Sequence, residues 1–149
     1  MIEVTIRKAS ISDLEAILAI YAELDDGQHL DLHDAERIFK RMQQYPNYTI
    51  YIAELEGEIV GAFELLIMDN LAHMGTPSGV VEDVVIRSRS QGRGIGKAMM
   101  RFAIEQCRKA GCYKLVLSSN LKRASAHRFY ETLGFQQHGY SFVVDLSKE

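Results

Sequence analysis

Val84-Val85-Ile86-Arg87-Ser88-Arg89-Ser90-Gln91-Gly92-Arg93-Gly94-Ile95-Gly96-Lys97 is the stretch on which the reading of this chain turns. A β-branched apolar run passes into a turn with glycine at alternate positions, and a helical pattern follows. Glycine has no Cβ, so backbone N–H groups in such a turn converge unobstructed. The start of the helix adds partial positive charge. Together they predict an anion site suited to a pyrophosphate, with Arg93 and Lys97 beside it. Spacing excludes two nucleotide motifs. The dinucleotide fingerprint is G-x-G-x-x-G after a first strand, whereas Gly92, Gly94 and Gly96 lie late and read G-x-G-x-G. The P-loop needs four residues between its glycines and Ser or Thr after its Lys; here three intervene and Ala98 follows Lys97.

The charge around this turn supports an anion. Residues 87–128 carry 11 Lys/Arg and a single acid, Glu105, while residues 1–86 carry 16 Asp/Glu against five Lys/Arg. A basic block inside an acidic protein predicts a polyanionic ligand, a phosphate-bearing cofactor or a nucleic acid. At 149 residues the chain fits one domain, residues 1–149, with a core that needs no staples. No apolar run is long enough to span a bilayer, and the first residues lack a signal-peptide layout. The two cysteines, Cys107 and Cys112, are too few for a disulfide framework or a zinc site and read as reduced thiols of a cytoplasmic protein.

Outward from the turn, the patterning predicts the order β-α-α-β-β-β-α-β-α-β. Residues 2–7 alternate as a strand. Ser12-Asp13-Leu14-Glu15 reads as a capping box, with Leu14, Ile17, Leu18, Tyr21 and Leu24 behind it at helical spacing. A second helix is expected from about Asp34 to Gln44. Tyr48–Leu55 and Ile59–Met68 read as a hairpin joined by Glu56-Gly57-Glu58. Val80–Ile86 and Tyr113–Ser118 are further strands, Gly111 and Gly134 end the last two helices, and Phe135–Leu146 is expected to supply one or two strands. Antiparallel strands first and βα units later predict an α/β fold of α+β type: a mixed, mostly antiparallel sheet with helices on both faces.

Gln91-Gly92-Arg93-Gly94-Ile95-Gly96 resembles the cofactor motif Q/R-x-x-G-x-G/A of the GNAT superfamily of N-acetyltransferases. Downstream, Ala126-His127-Arg128-Phe129-Tyr130-Glu131-Thr132-Leu133-Gly134-Phe135 is similar to that family's A-x-x-F-Y-x-x-x-G-F. The resemblance implies acetyl-CoA as co-substrate, wedged between the splayed parallel strands Val80–Ile86 and Tyr113–Ser118. It implies backbone contacts to pantetheine and the acetyl carbonyl at Val84, Val85 and Ile86. It also implies that backbone N–H groups from Gln91 through Gly92, Arg93, Gly94, Ile95 and Gly96 to Lys97 hold the pyrophosphate. Many members carry Asn seven residues before the Tyr of F-Y. Arg123 stands there, and Asn120 is the candidate to replace it. Within the family, residues 117–130 are similar to aminoalkylphosphonate N-acetyltransferases. Residues 81–85 and 111–114 are similar to glucosamine-phosphate N-acetyltransferases.

An alkyl ammonium with a pKa near 10 must lose a proton before it attacks a thioester. Glu82 and Asp83 are the candidate bases, or a bound water. Strand alternation predicts that the two side chains point to opposite faces. Some relatives carry a catalytic Glu where Val80 stands. An N–H near Val85 or Ile86 suits the oxyanion. By resemblance Tyr130 returns a proton to the leaving thiolate and also touches the cofactor. Asn70, His73 and Glu82 are expected near the acceptor. His29 and His33 read as surface residues, Ser125 and His127 form no ordered triad, and Cys107 lies in a helix's apolar pattern. Direct attack in a ternary complex is therefore preferred to an acyl-cysteine. The partners expected are coenzyme A and a small-molecule amine, with a homodimer as the assembly; no metal, nucleic acid or membrane is called for. The rival readings are a non-catalytic acyl-CoA sensor, acetylation of a protein amine, and a nucleic-acid-binding module.

Overall fold

The computed structural model describes residues 3–119 and 124–147. Two compact units make up the chain, Met1–Leu117 and Ser118–Glu149.

The first unit is built on a five-stranded sheet in the order β1-β2-β3-β4-β5. Its strands are β1 (Val4–Lys8), β2 (Tyr48–Leu55), β3 (Glu58–Met68), β4 (Ser78–Ile86) and β5 (Leu115–Leu117). The first four run antiparallel and β4–β5 is parallel, the mixed sheet that the pattern predicts. The β2–β3 hairpin closes on Glu56 and Gly57, both left-handed at φ 52° and 80°. Two such residues form the turn whose twist matches the flanking strands.

Helices α1 (Leu14–Tyr21) and α2 (Leu32–Met42) cover one face of the sheet. Leu14, Ile17, Ile20, Ala35 and Phe39 pack there with Ile50, Ile52, Ala62 and Val85. The opposite face meets α3 (Ile95–Lys109), where Tyr51 lies between Phe63 and Phe102 with ring centroids 5.4 and 4.9 Å away. This contact is close enough to require glycine. A Cβ on Gly79 would stand 2.4 Å from the Cys107 sulfur, and one on Gly61 would stand 2.9 Å from the Met99 sulfur.

Three local expectations change. The cap of α1 lies upstream of Ser12–Glu15: Asp13 accepts from the Ser10 N–H at 2.7 Å, and a short 3-10 turn precedes the helix. Asp13 wins because Arg7 on β1 grips the same carboxylate at 2.8 and 2.9 Å. Helix α2 starts earlier than expected, at Leu32, because Asp31 caps it by accepting from the His33 N–H. β5 pairs over three residues rather than six.

The second unit holds α4 (Ala124–Thr132), which ends at the left-handed Gly134, φ 96°. Phe135 donates its N–H to the Tyr130 carbonyl and stacks edge-on against the Tyr130 ring. The expected strands over Phe135–Leu146 do not form; residues 135–147 hold no strand. Alternation gives a segment β propensity, but a strand also needs a neighbour to pair with.

Candidate functional site

The glycine turn takes the form its spacing predicts. Gly92 and Gly94 are left-handed, at φ 78° and 81°, with open space where a Cβ would stand. Gly94 is the N-cap of α3. The first-turn N–H groups of Ile95, Gly96 and Lys97 have no intrahelical acceptor, and the first helical bond across the cap is Ala98 N–H to the Gly94 carbonyl. Arg93 and Lys97 are exposed beside these donors. The Gln91 side chain turns back to the Ile86 carbonyl, tying the turn to the end of β4. Other cations of the basic block have structural partners: Arg87 donates to the Ile59 carbonyl at 2.9 Å, and Arg89 pairs with Glu58. Ser88 donates to Glu23, just beyond α1, at 3.0 Å.

Immediately before the turn, β4 is irregular. It pairs with β5 only through Gly79, Val80 and Val81. On its other side the register slips: Glu64 opposes Glu82 and Ala62 opposes Val85, so Asp83 and Val84 together face the single residue Phe63. Two residues against one is a β-bulge, and Asp83 carries it at φ 52°. The bulge overturns the expectation that Glu82 and Asp83 point to opposite faces. Both are exposed, and both lie close enough to Glu64 to act on its ionisation, Asp83 within hydrogen-bonding reach.

Sequence patterning alone does not mark Glu64 as a functional residue. It sits mid-strand on the α1 side of the sheet and is only 7% exposed. The Tyr48 hydroxyl donates to it at 2.8 Å. Burial pushes the Glu64 carboxyl up to about 7; the Tyr48 hydrogen bond opposes this, and Asp83 and Glu82 add to it. Tyr48 is itself pushed upward, first by burial and then by its bond to Glu64. On α1, the Tyr21 hydroxyl is buried with no hydrogen-bond partner among the described residues, and burial followed by the charges of Glu64 and Asp83 raises its pKa. The one available signal for Glu64 was a lone acid inside the apolar run Gly61-Ala62-Phe63-Glu64-Leu65-Leu66.

The other expected residues divide by location. Val84, Val85 and Ile86 end β4 and lead into the glycine turn. In the loop before β4, Asn70 donates its side-chain amide to the Thr76 carbonyl at 2.7 Å, bracing the loop itself. His73 is exposed and stacks on Tyr113 with centroids 4.4 Å apart. Tyr130 is 8% exposed within the second unit, its ring 5.3 Å from that of Phe129. Asn120 lies outside the described residues. Cys107 is a free thiol held up at about 12 by burial, a poor nucleophile. Among the described residues no group of three or more His, Cys, Asp or Glu is placed to hold a metal, and no helix is long and apolar enough to cross a membrane.

Comparisons with known proteins agree with this geometry. The model of the acetyltransferase (GNAT) family matches residues 14–135. A glucosamine 6-phosphate N-acetyltransferase of Trypanosoma brucei brucei is 30% identical, with 98% of each chain covered. An aminoalkylphosphonate N-acetyltransferase of Salmonella typhimurium is 31% identical over 95% of this chain and 90% of its own. A solved structure from Agrobacterium tumefaciens, provisionally assigned as an acetyltransferase, superposes with a TM-score of 0.90 at 33% identity, covering 95% of this chain and 99% of the other. With its helix-starting glycine turn at the end of a bulged parallel-edge strand, the chain belongs to the GNAT family of acetyltransferases.

Proposed function

We propose that this protein transfers an acetyl group from acetyl-CoA to a primary amine of a small molecule, by direct attack in a ternary complex. The observation that carries the reading is the pair of left-handed glycines at the start of α3, with first-turn N–H groups unclaimed. A pyrophosphate fits that turn, because the donors converge and nothing occupies the Cβ positions of Gly92 and Gly94. Gln91 through Lys97 are the residues proposed to hold it, Arg93 and Lys97 adding charge. The freed edge of β4 at Val84, Val85 and Ile86 offers backbone groups to the pantetheine arm and to a developing oxyanion. When bound, acetyl-CoA supplies an activated acyl group.

The chain's own part is proton management. The incoming ammonium needs a carboxylate, and Glu82 and Asp83 stand exposed at the bulge. An acidic notch also attracts a cationic amine. Tyr130 and Asn120 remain the proposed second-unit contributors, Tyr130 as donor to the leaving thiolate and as a cofactor contact. Asn70 and His73 remain proposed acceptor contacts beside Glu82. The family match spans both units, which supports reading residues 1–149 as one functional domain. Two free thiols suit a reducing compartment, and we place the protein in the cytoplasm. A homodimer is the proposed assembly, and sedimentation tests it directly.

The test is binding followed by turnover. Calorimetry with coenzyme A should show binding that weakens with added salt, as a charge-held ligand requires. Acetyl-CoA with a panel of amines should then release free thiol. The two named relatives point to amines that also carry a phosphate or phosphonate, so the panel includes both kinds. Thiol release only with protein substrates would redirect the acceptor. Binding without any release would favour a sensor, and no binding at all would overturn the reading.

A further inference from the structure

We propose that Glu64 and Asp83 act as one proton-sharing carboxyl pair, Asp83 meeting the acceptor ammonium at the bulge and Glu64 storing the proton behind it. This rests on the function proposed above and deepens its base assignment, which sequence alone left among Glu82, Asp83 and water.

The geometry sets the two apart from an ordinary acidic surface. Glu64 is buried on the central strand β3, and its fixed partner is a neutral donor, the Tyr48 hydroxyl, rather than a cation. Asp83 is exposed at the bulge with left-handed backbone, and it lies close enough to Glu64 to act on its ionisation. Aspartate is one of the few residues that takes up this conformation readily, so the bulge places a carboxylate there without strain. Among the described residues the groups facing Glu64 are Tyr48 from β2, Tyr21 from α1, and Glu82 and Asp83 from β4. None is a cation. Tyr21 is the independent pointer to a ligand: its hydroxyl is buried in the field of Glu64 and Asp83, with no hydrogen-bond partner among the described residues. A polar group left unpaired there is positioned to be completed by a bound molecule.

The step balances simply. One N–H bond of the ammonium breaks and its proton goes to the pair; the amine keeps the electron pair, the ammonium loses one positive charge, and the pair loses one negative charge. Against an amine of pKa about 10, an ordinary carboxylate is a very weak acceptor. The rise at Glu64 from 4.5 to about 7 improves that proton transfer roughly 300-fold. It also leaves Glu64 partly ionised at neutral pH, as a general base requires.

The experiment reads the protein first without substrate. Carboxyl ¹³C NMR titration of glutamate-labelled protein should show one resonance with a midpoint near neutrality. It should vanish in Glu64→Gln, move to higher pH in Tyr48→Phe, which removes the donor, and move to lower pH in Asp83→Asn, which removes the like charge. The acid limb of kcat/KM for the best amine should move in step in Tyr48→Phe. At pH 7, Glu64→Gln should lower kcat about 100-fold while coenzyme A binding by calorimetry stays unchanged. A merely structural Glu64 would reduce activity without moving the limb. A wild-type pH profile in Glu64→Gln, or no glutamate titrating near neutrality, overturns the proposal even if acetyl transfer itself is intact. Loss of coenzyme A binding by wild-type protein would instead overturn the function beneath it.

Discussion

Asp13 and Glu64 are each 7% exposed, yet one carboxyl is pulled down to about 2 and the other pushed up to about 7. Burial raises both; it is the leading influence at Glu64, whereas at Asp13 the Arg7 hydrogen bonds outweigh it. At the β1–α1 corner Asp13 receives two hydrogen bonds from Arg7 and one from the Ser10 N–H, all favouring its charged form. At the β3–β4 bulge Glu64 receives one phenol hydrogen bond and looks at two more acids. The corner is a closed structural device with its charge compensated. The bulge sets Glu64 beside further acids with no cation against it among the described residues, which is the arrangement a substrate cation would relieve.

The largest stability effect separates these two sites by sign. Glu64 binds its proton more tightly folded than unfolded, so its protonated form stabilises the protein fully below about pH 4.5. That contribution is lost as pH rises through about 7. Glu64→Gln should therefore gain on wild type by roughly 3 kcal/mol between pH 5 and pH 8, read by urea unfolding at both values. A constant difference across that range would show that Glu64 titrates normally. Asp13→Asn should do the opposite. Its charged form is the stabilising one above pH 4, and removing it should cost about 2 kcal/mol at pH 7. The gap to wild type should close as pH falls through about 2. Equal losses at pH 7 and at pH 2 would mean that Arg7 contributes packing and not charge.

The same contrast shows what the sequence could and could not disclose. The turn from Gln91 to Gly96 was legible because left-handed backbone leaves a compositional mark, glycine, and Gly57, Gly111 and Gly134 marked other turns and helix ends in the same way. The hairpin was legible from alternation. The bulge was not, because Asp83 is left-handed without being glycine and the slip depends on which residues face it across β3. For the same reason simple alternation does not give the faces of Glu82 and Asp83. Glu64 looked like one acid in a strand; its depth comes from α1 lying over it. Ser10 and Ser12 each offer an acid three residues on, and only Arg7 on β1 decides between them. The strands expected over Phe135–Leu146 failed because alternation names no partner. Tyr140, Phe142 and Leu146 stand 89–93% exposed there.

The smallest effect sharpens the comparison most finely, because it concerns a hydroxyl. Around Asp13, every strong donor has an acceptor, so removing any of them should cost stability. Around Glu64, the Tyr21 hydroxyl is buried with no partner among the described residues, so the folded protein already bears its desolvation. Tyr21→Phe keeps the ring against the core cluster beneath α1 and deletes only that oxygen. It should therefore stabilise the free protein, by up to about 1 kcal/mol, or roughly 2–4 °C in Tm at this size. The same change should raise KM for the amine several-fold, because the group that the ligand was to complete is gone. Stability gained together with acceptor affinity lost places Tyr21 in the acceptor pocket. A loss of stability would mean that its hydroxyl has a partner, an ordered water, and that the bulge is compensated much as the corner is.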